Sequence, residues 1–264
     1  MILLRCLKLY STLARFSLSR TLNFWADSVL RVVMDVLFYI VSLSFFSVIY
    51  LHADNIGGFT RADAMVFVGC FTLIDALFMT FFSVNLWGMS AAINQGQLDY
   101  ILTKPIPPFF LTLFQRIEFG SLINALMSAS ILAWALTIHP QPASWLGILL
   151  GLSMLPLAVW LYFMIGVAFV LPVFWTHSPG GFLRTFYSVE PLMERPDGIY
   201  RKGFGWVFFT LLPFAILASF PARAMVGKLA SGDFFYYIFV LIAFTFVVAR
   251  IWARGLRIYS SASS

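Results

Sequence analysis

Asp75 is the side chain in this sequence best placed to do chemistry. It sits about halfway along an apolar run, Ala64 to Val84, with no basic residue within a helical turn. A carboxylate at that depth of a hydrophobic helix is costly, and one that is kept marks either a substrate or gating path facing water or a bond to a Ser or Thr of a neighbouring helix. Both readings stand. Arg31 and Asp35 lie four apart on one helical face, and a local ion pair accounts for them. The remaining candidates lack partners. His52, His139 and His177 all fall at or beyond the ends of apolar runs, and none has a second ligand at His-x-x-x-His spacing. There is no Gly-x-Ser-x-Gly nucleophile turn. Gly227-Lys228 is followed by Leu229 and lacks the upstream glycine of a phosphate loop, so ATP has no Walker A site here. Cys6 and Cys70 support neither a disulfide framework nor a metal centre. The chain reads as a non-enzyme with no cofactor of its own, and any energy it uses must come from another subunit.

The elements that would position Asp75 are set by a lipid solvent. Of 264 residues, 61% are hydrophobic and only 11% charged, too few polar groups to cover a water-soluble core. Apolar runs long enough to cross about 20 helical residues of hydrocarbon predict six spans: Val36 to Leu51, Ala64 to Val84, Phe119 to Ile138, Trp145 to Trp175, Gly203 to Ala222 and Phe234 to Ala249. They are continuous rather than alternating, which argues against a β-barrel. The Trp145 to Trp175 run exceeds an upright span, so tilt or a bend near Pro156 or Pro172 is expected. Only Arg61, Arg223 and Lys228 of the 17 basic residues fall in the expected outer loops. That asymmetry predicts both termini in the cytoplasm and explains the net charge of +6 without nucleic-acid binding.

Residues 1–25 lack the uninterrupted apolar core of a cleaved signal. Leu3, Leu7, Tyr10, Ala14 and Leu18 share one helical face, and Arg5, Lys8, Thr12, Arg15 and Ser19 the other. The pattern fits an interfacial helix over anionic headgroups, or else a basic leader to the first span. Small-residue rows, Ser121-Ala125-Ala129-Ala133 and Gly147-Gly151, predict close packing within the bundle or between subunits. No inverted repeat is visible. Residues 176–203 read as a second inner loop. The expected architecture is an all-α integral membrane domain over 1–264.

The stretch NQGQLDYILTKPIPPFF, residues 94–110, interrupts this pattern between the second and third spans. Leu98, Ile101 and Leu102 share a helical face, Asp99 suits the helix start, and Pro105, Pro107 and Pro108 forbid continuation. A short rigid helix on the membrane surface and a plain inner loop are the two readings.

Three motifs in order carry a resemblance. Gly96-Gln97-Leu98-Asp99-Tyr100-Ile101-Leu102-Thr103-Lys104-Pro105 resembles the Gly-x-Leu-Asp-x-x-Leu-x-x-Pro segment of ABC-2-type export permeases. Glu194 to Gly227, with Pro213 and Pro221-Ala222, is similar to the fifth span of their six-span branch. ARIWARGLRIYSSASS is similar to its Arg-Gly-Leu-x-x-Tyr-x-x-Ala-Ser ending. The resemblance implies a permease subunit in a bacterial inner membrane, paired with an identical or homologous second permease and with two copies of an ABC ATPase that hold ATP and Mg. It implies that residues 94–108 form the coupling segment, with Gly96, Leu98, Asp99, Leu102 and Pro105 making the ATPase contact, Leu98 and Leu102 entering its groove. Under that reading Asp75, Asn85 and the Pro213 region are candidates for the translocation pathway between paired chains. A self-sufficient channel or ion-coupled carrier, a lipid-modifying enzyme and an assembly factor are the rivals.

Overall fold

The computed structural model describes residues 2–23, 25–141, 143–178, 181–201 and 205–259. Among them the fold is all-helical, without strands. The elements are α1 (Ile2–Asn23), α2 (Trp25–Ile49), α3 (Arg61–Phe78), α4 (Val84–Asn94), α5 (Gln97–Leu102), α6 (Pro108–Leu113), α7 (Leu122–Thr137) and α8 (Trp145–Val170). They continue with α9 (Val173–Thr176), α10 (Gly181–Val189), α11 (Ile216–Met225) and α12 (Ser231–Ile258). Among the described residues, five stretches are long and apolar enough to cross a membrane: Val32–Ile49, Arg61–Asn94, Phe119–Thr137, Trp145–Thr176 and Ser231–Ile258.

The pattern of α1 sorts its faces. Arg5, Lys8, Thr12, Arg15 and Ser19 are exposed, while Tyr10 sets its ring 6.5 Å from that of Phe110. The side chains of Leu3 and Leu7 lie outside the described residues. The side chain of Arg31 does too, which leaves the expected Arg31–Asp35 pair there. α2 is nearly bare, with 6% of its apolar window buried inside the chain. It holds on through Tyr39, which accepts from Ser128 at 3.1 Å, through Asp35, which accepts from Asn124, and through Phe46 against Phe67.

α3 begins at a reciprocal cap in which Thr60 Oγ1 accepts from the Asp63 amide and the Asp63 carboxylate accepts from the Thr60 amide. It runs into α4 through a π-helical turn, Met79–Ser83. α3 and α7 pack closely at Gly69, where an added Cβ would lie 2.8 Å from Leu132 Cα. α8 continues through Pro156, whose position is exposed, and ends before Pro172, so the expected break is at the second proline. The expected small-residue row on α7 is half right. Ser121 and Ala125 are buried, Ala129 and Ala133 are exposed, and the buried stripe continues through Ser128, Leu132 and Ala135. Gly147 and Gly151 do pack within the chain, against the backbone oxygens of Ala224 and Pro221 of α11.

Two expectations are corrected. The predicted fifth span, Gly203 to Ala222, is not one helix, and Gly203 itself lies outside the described residues. A π-helical turn at Val207–Leu211 ends at Leu212, and α11 starts only at Ile216. Pro213, with no N–H to donate, stops the ladder, so among the described residues five continuous spans are seen and the expected fifth span is broken. Nor are residues 176–203 a loop at one end. α10 packs back along α8, and beyond it Asp197 and Gly198 reach Arg223 and Gly57. Those partners sit beside the start of α3, whereas α9 packs on the end of α12 through Phe174 and Trp252. The chain between α9 and α12 therefore passes from one end of the bundle to the other, in pieces each too short to span alone. Its non-helical backbone is tolerated because Pro213, Phe214 and Ala215 are buried in protein.

Gly69→Val would drive a side chain into the α7 backbone, an overpacking worth about 1–3 kcal/mol. It should lower the melting midpoint of the detergent-solubilised protein measured by size-exclusion fluorescence. Gly88→Ala, in α4 with nothing within 4 Å of the added Cβ, should hold or raise it, since alanine is the better helix former by about 0.5–1 kcal/mol.

Candidate functional site

The interruption at 94–110 is a short helix held by its neighbours. α4 ends at Gln95, and Gly96 turns the chain with a φ of 72°. That left-handed geometry favours glycine. α5 follows for six residues, with Asp99 in its first turn, and the run Thr103–Pro107 ends it.

Leu98 is 0% exposed and Ile101 is 7% exposed. Leu98 therefore anchors α5 to the bundle and is not free to enter a partner's groove, which corrects the role expected of it. The outward face is Tyr100, Leu102, Thr103 and Pro105, with Tyr100 69% exposed. The Lys104 ammonium covers the Tyr100 ring at 3.8 Å. Tyr100 was legible as part of the motif, yet apolar periodicity alone pointed to the opposite, buried face.

Asp99 turns inward, toward the last helix. Burial pushes the Tyr259 phenol above its ordinary range, and the neighbouring Asp99 carboxylate adds to that shift. Tyr259 also sets its ring edge-on to Phe174, which meets Trp252 in turn, and Trp252 meets Phe109 just after the start of α6. Gly255 permits this contact, since an added Cβ would lie 2.5 Å from the Phe174 ring. The Gly-x-Leu-Asp segment and the Arg-Gly-Leu-x-x-Tyr ending are thus one packed unit. Residues 260–264 of that ending lie outside the described residues.

Asn85 joins this unit to the bundle. Its Oδ1 accepts from the amides of Gln115 and Arg116, at 3.1 and 2.9 Å, and its Nδ2 donates to the carbonyls of Phe81 and Arg116. The next two amides of the break before α7 are also met, Ile117 by Ser17 Oγ of α1 and Glu118 by the Thr80 carbonyl of the π-helical turn. An amide so fully used is a clamp between α4 and the break before α7.

Asp75 lines a cavity of about 310 Å³ between α2, α3 and the start of α7. Asp35, Glu118, Asn124 and Ser83 share that wall. From α8, the Tyr162 hydroxyl lies 3.5 Å from Asp75 Oδ1 and also donates to Glu190, which the chain beyond α10 brings in. Phe78 stacks on the Tyr162 ring at 4.1 Å. Asp75 thus has a neighbouring tyrosine, rather than a serine or threonine, as its partner, and it also lines open space. Neither Asn85 nor Pro213 lines this cavity, so the three pathway candidates are not brought together. Glu190 and Tyr162 escaped sequence reasoning because nothing local tells a buried return segment from a loop. Among the described residues, no three His, Cys, Asp or Glu side chains are grouped to hold a metal ion.

A family model described as ABC-2 family transporter protein matches residues 36–263, leaving α1 and the start of α2 outside the match. No curated protein and no solved structure matches the chain.

Asn85→Ala should strip the side-chain partner from two part-buried amides at once. The loss is about 1–3 kcal/mol for each, read as a fall of several degrees in the melting midpoint. Ser130→Ala, on an exposed face of α7, should leave the midpoint unchanged.

Proposed function

The chain belongs to the ABC-2 family of transporter proteins, and we propose that it is the permease subunit of an ATP-driven exporter in a bacterial inner membrane. Two permease chains, identical or homologous, pair along their membrane spans, and each receives one ABC ATPase subunit. ATP and Mg are held by those ATPases and not by this chain. ATP favours one of two arrangements of the ATPase pair, and that difference in affinity is what drives the permeases between inward and outward states.

The observation that carries this reading is α5. It lies outside all five candidate spans, it is bounded by a glycine turn and a proline run, and its inner face is locked in the core while Tyr100 and Leu102 stand exposed. A short helix fixed in this way transmits a push, whereas a flexible loop would absorb it. The bare outer face of α2 supports pairing with a second permease. A second reading, an ion-coupled carrier acting alone, draws on Asp35, Asp75 and Glu118 around one cavity. Asp75→Asn would flatten the pH dependence of such a carrier and leave that of an ATP-driven exporter in place.

Gentle extraction of the tagged chain from its native membrane should bring down a soluble subunit carrying a Walker A loop in stoichiometric amount. A chain that came out alone and still moved its substrate would overturn the proposal. Tyr100→Asp together with Leu102→Asp alters only exposed positions, so the protein should elute as a single folded species and lose most ATPase association. Retention of both the complex and ATP-dependent transport would show that α5 is not the coupling segment.

A further inference from the structure

A groove of about 690 Å³, within the range of ligand sites, runs between α1 and α5. Neither helix belongs to a candidate span, so the groove lies at an end of the bundle rather than in its middle. α1 supplies Leu9 and Leu13, the chain from α5 onward supplies Ile101, Lys104 and Ile106, and α6 supplies Leu111. The walls are fixed independently of any occupant. Tyr10 packs edge-on against Phe110 of α6, and Ser17 Oγ accepts from the Ile117 amide, which together pin α1 beside α6. Buried Leu98 anchors α5 from within.

All of these side chains are hydrocarbon except Lys104, which is a cation. None of the described residues lining the groove is acidic. The Lys104 ammonium rests on the Tyr100 ring at 3.8 Å and pairs with no carboxylate among the described residues. Asp99, the acid of α5, turns toward Tyr259 instead. Arg5 is exposed and precedes Leu9 by one helical turn, so the two share a side of α1. A hydrocarbon trough with cations at its edge suits a ligand that joins an apolar chain to an anionic head.

The surroundings of the groove point to the source of such a ligand. Phe16 and Leu22 of α1 are 71% and 67% exposed, and Arg5, Lys8, Arg15 and Arg20 are exposed on the same helix. A helix with bare apolar and basic side chains is suited to the membrane boundary, where acyl chains meet phosphates. We propose that the groove between α1 and α5 binds an anionic phospholipid of the surrounding membrane. An acyl chain lies against Leu9, Leu13, Ile106 and Leu111, and the phosphate meets Lys104 and Arg5. The site stands on the fold itself and does not depend on the permease reading above.

Phosphatidylglycerol and phosphatidylcholine with the same acyl chains differ in net charge and serve as paired probes. The protein is purified from its native membrane with its bound subunits, stripped of lipid in detergent and given an equimolar mixture of the two. Native mass spectrometry then counts the lipid retained on each chain. Retention of phosphatidylglycerol in preference to phosphatidylcholine, by tenfold or more, is expected. Lys104→Gln should lower that preference about fivefold, the equivalent of about 1 kcal/mol for one basic residue near anionic lipid. Leu13→Trp, which fills the trough, should abolish retention of either lipid there, and Lys104→Gln carries the test if that variant does not fold. Equal retention of the two lipids, or a preference unchanged by Lys104→Gln in a folded protein, would overturn the proposal. So would a Leu13→Trp protein that keeps its lipid and loses a soluble subunit, since the groove would then be a seat for a partner protein.

Discussion

A polypeptide in hydrocarbon must satisfy its own backbone, because no water is at hand to accept or donate. The rest of this structure depends on that constraint. Where helices stop inside the bundle, the missing bonds are supplied by distant parts of the chain or by tight local ones. The break before α7 shows this most fully, with its four consecutive amides, Gln115 to Glu118, met by Asn85, Ser17 and the Thr80 carbonyl. The π-helical turn at Met79–Ser83 belongs to the same arrangement, since Thr80 O within it accepts from the Glu118 amide. The second break, at Leu212–Ala215, is closed by short backbone bonds and by burial.

These satisfied breaks give the two ends of the molecule different characters. At the α5 end, aromatic rings and one glycine contact join α6 and α9 to α12, beside the contact of Asp99 with Tyr259. At the other end, charge does the joining. Asp63, fully buried, meets Lys228, His139 and the Thr60 hydroxyl and amide, tying the start of α3 to the loops before α8 and α12. Arg223 holds Asp197 at 2.8 Å and the Gly57 carbonyl at 3.1 Å, and its guanidinium also covers Phe59. Gly57 and Gly198 meet backbone to backbone, and at Gly198 an added Cβ would fall 2.0 Å from the Gly57 oxygen. Breaking one partner out of such buried pairs is costly, about 3–5 kcal/mol, because it strands a charge.

The acidic cavity lies between these two fixed ends, against the least supported helix. α2 touches the bundle through Tyr39, Asp35, Leu43 and Phe46, and its outward face is apolar. A helix so loosely held can shift relative to α3 and α7, and any such shift changes the mouth of the cavity lined by Leu30 and Met34. The wall of α3 and α8 behind it, Phe78 stacked on Tyr162, is by contrast densely packed.

What could be read directly was whatever repeats along a helix or follows from the chemistry of one residue type. Continuous apolar runs, a basic and an apolar face on α1, prolines that end α5 and a glycine at position 96 all state their local consequence without reference to distant residues. The family motifs belong here too, because they are local strings. What only the tertiary structure decided concerns pairs far apart in the chain. Leu98 and Leu102 look alike in sequence, yet one is buried and the other exposed, because the neighbouring elements cover one side of a six-residue helix. Asn85 became a clamp because a break some 30 residues away needed acceptors. Glu190 came to face Tyr162 because a segment too polar to read as a span is sheltered by the bundle around it. Periodicity reports which side of a helix is apolar; what that side meets is set by packing, and packing is not written in any single stretch of the chain.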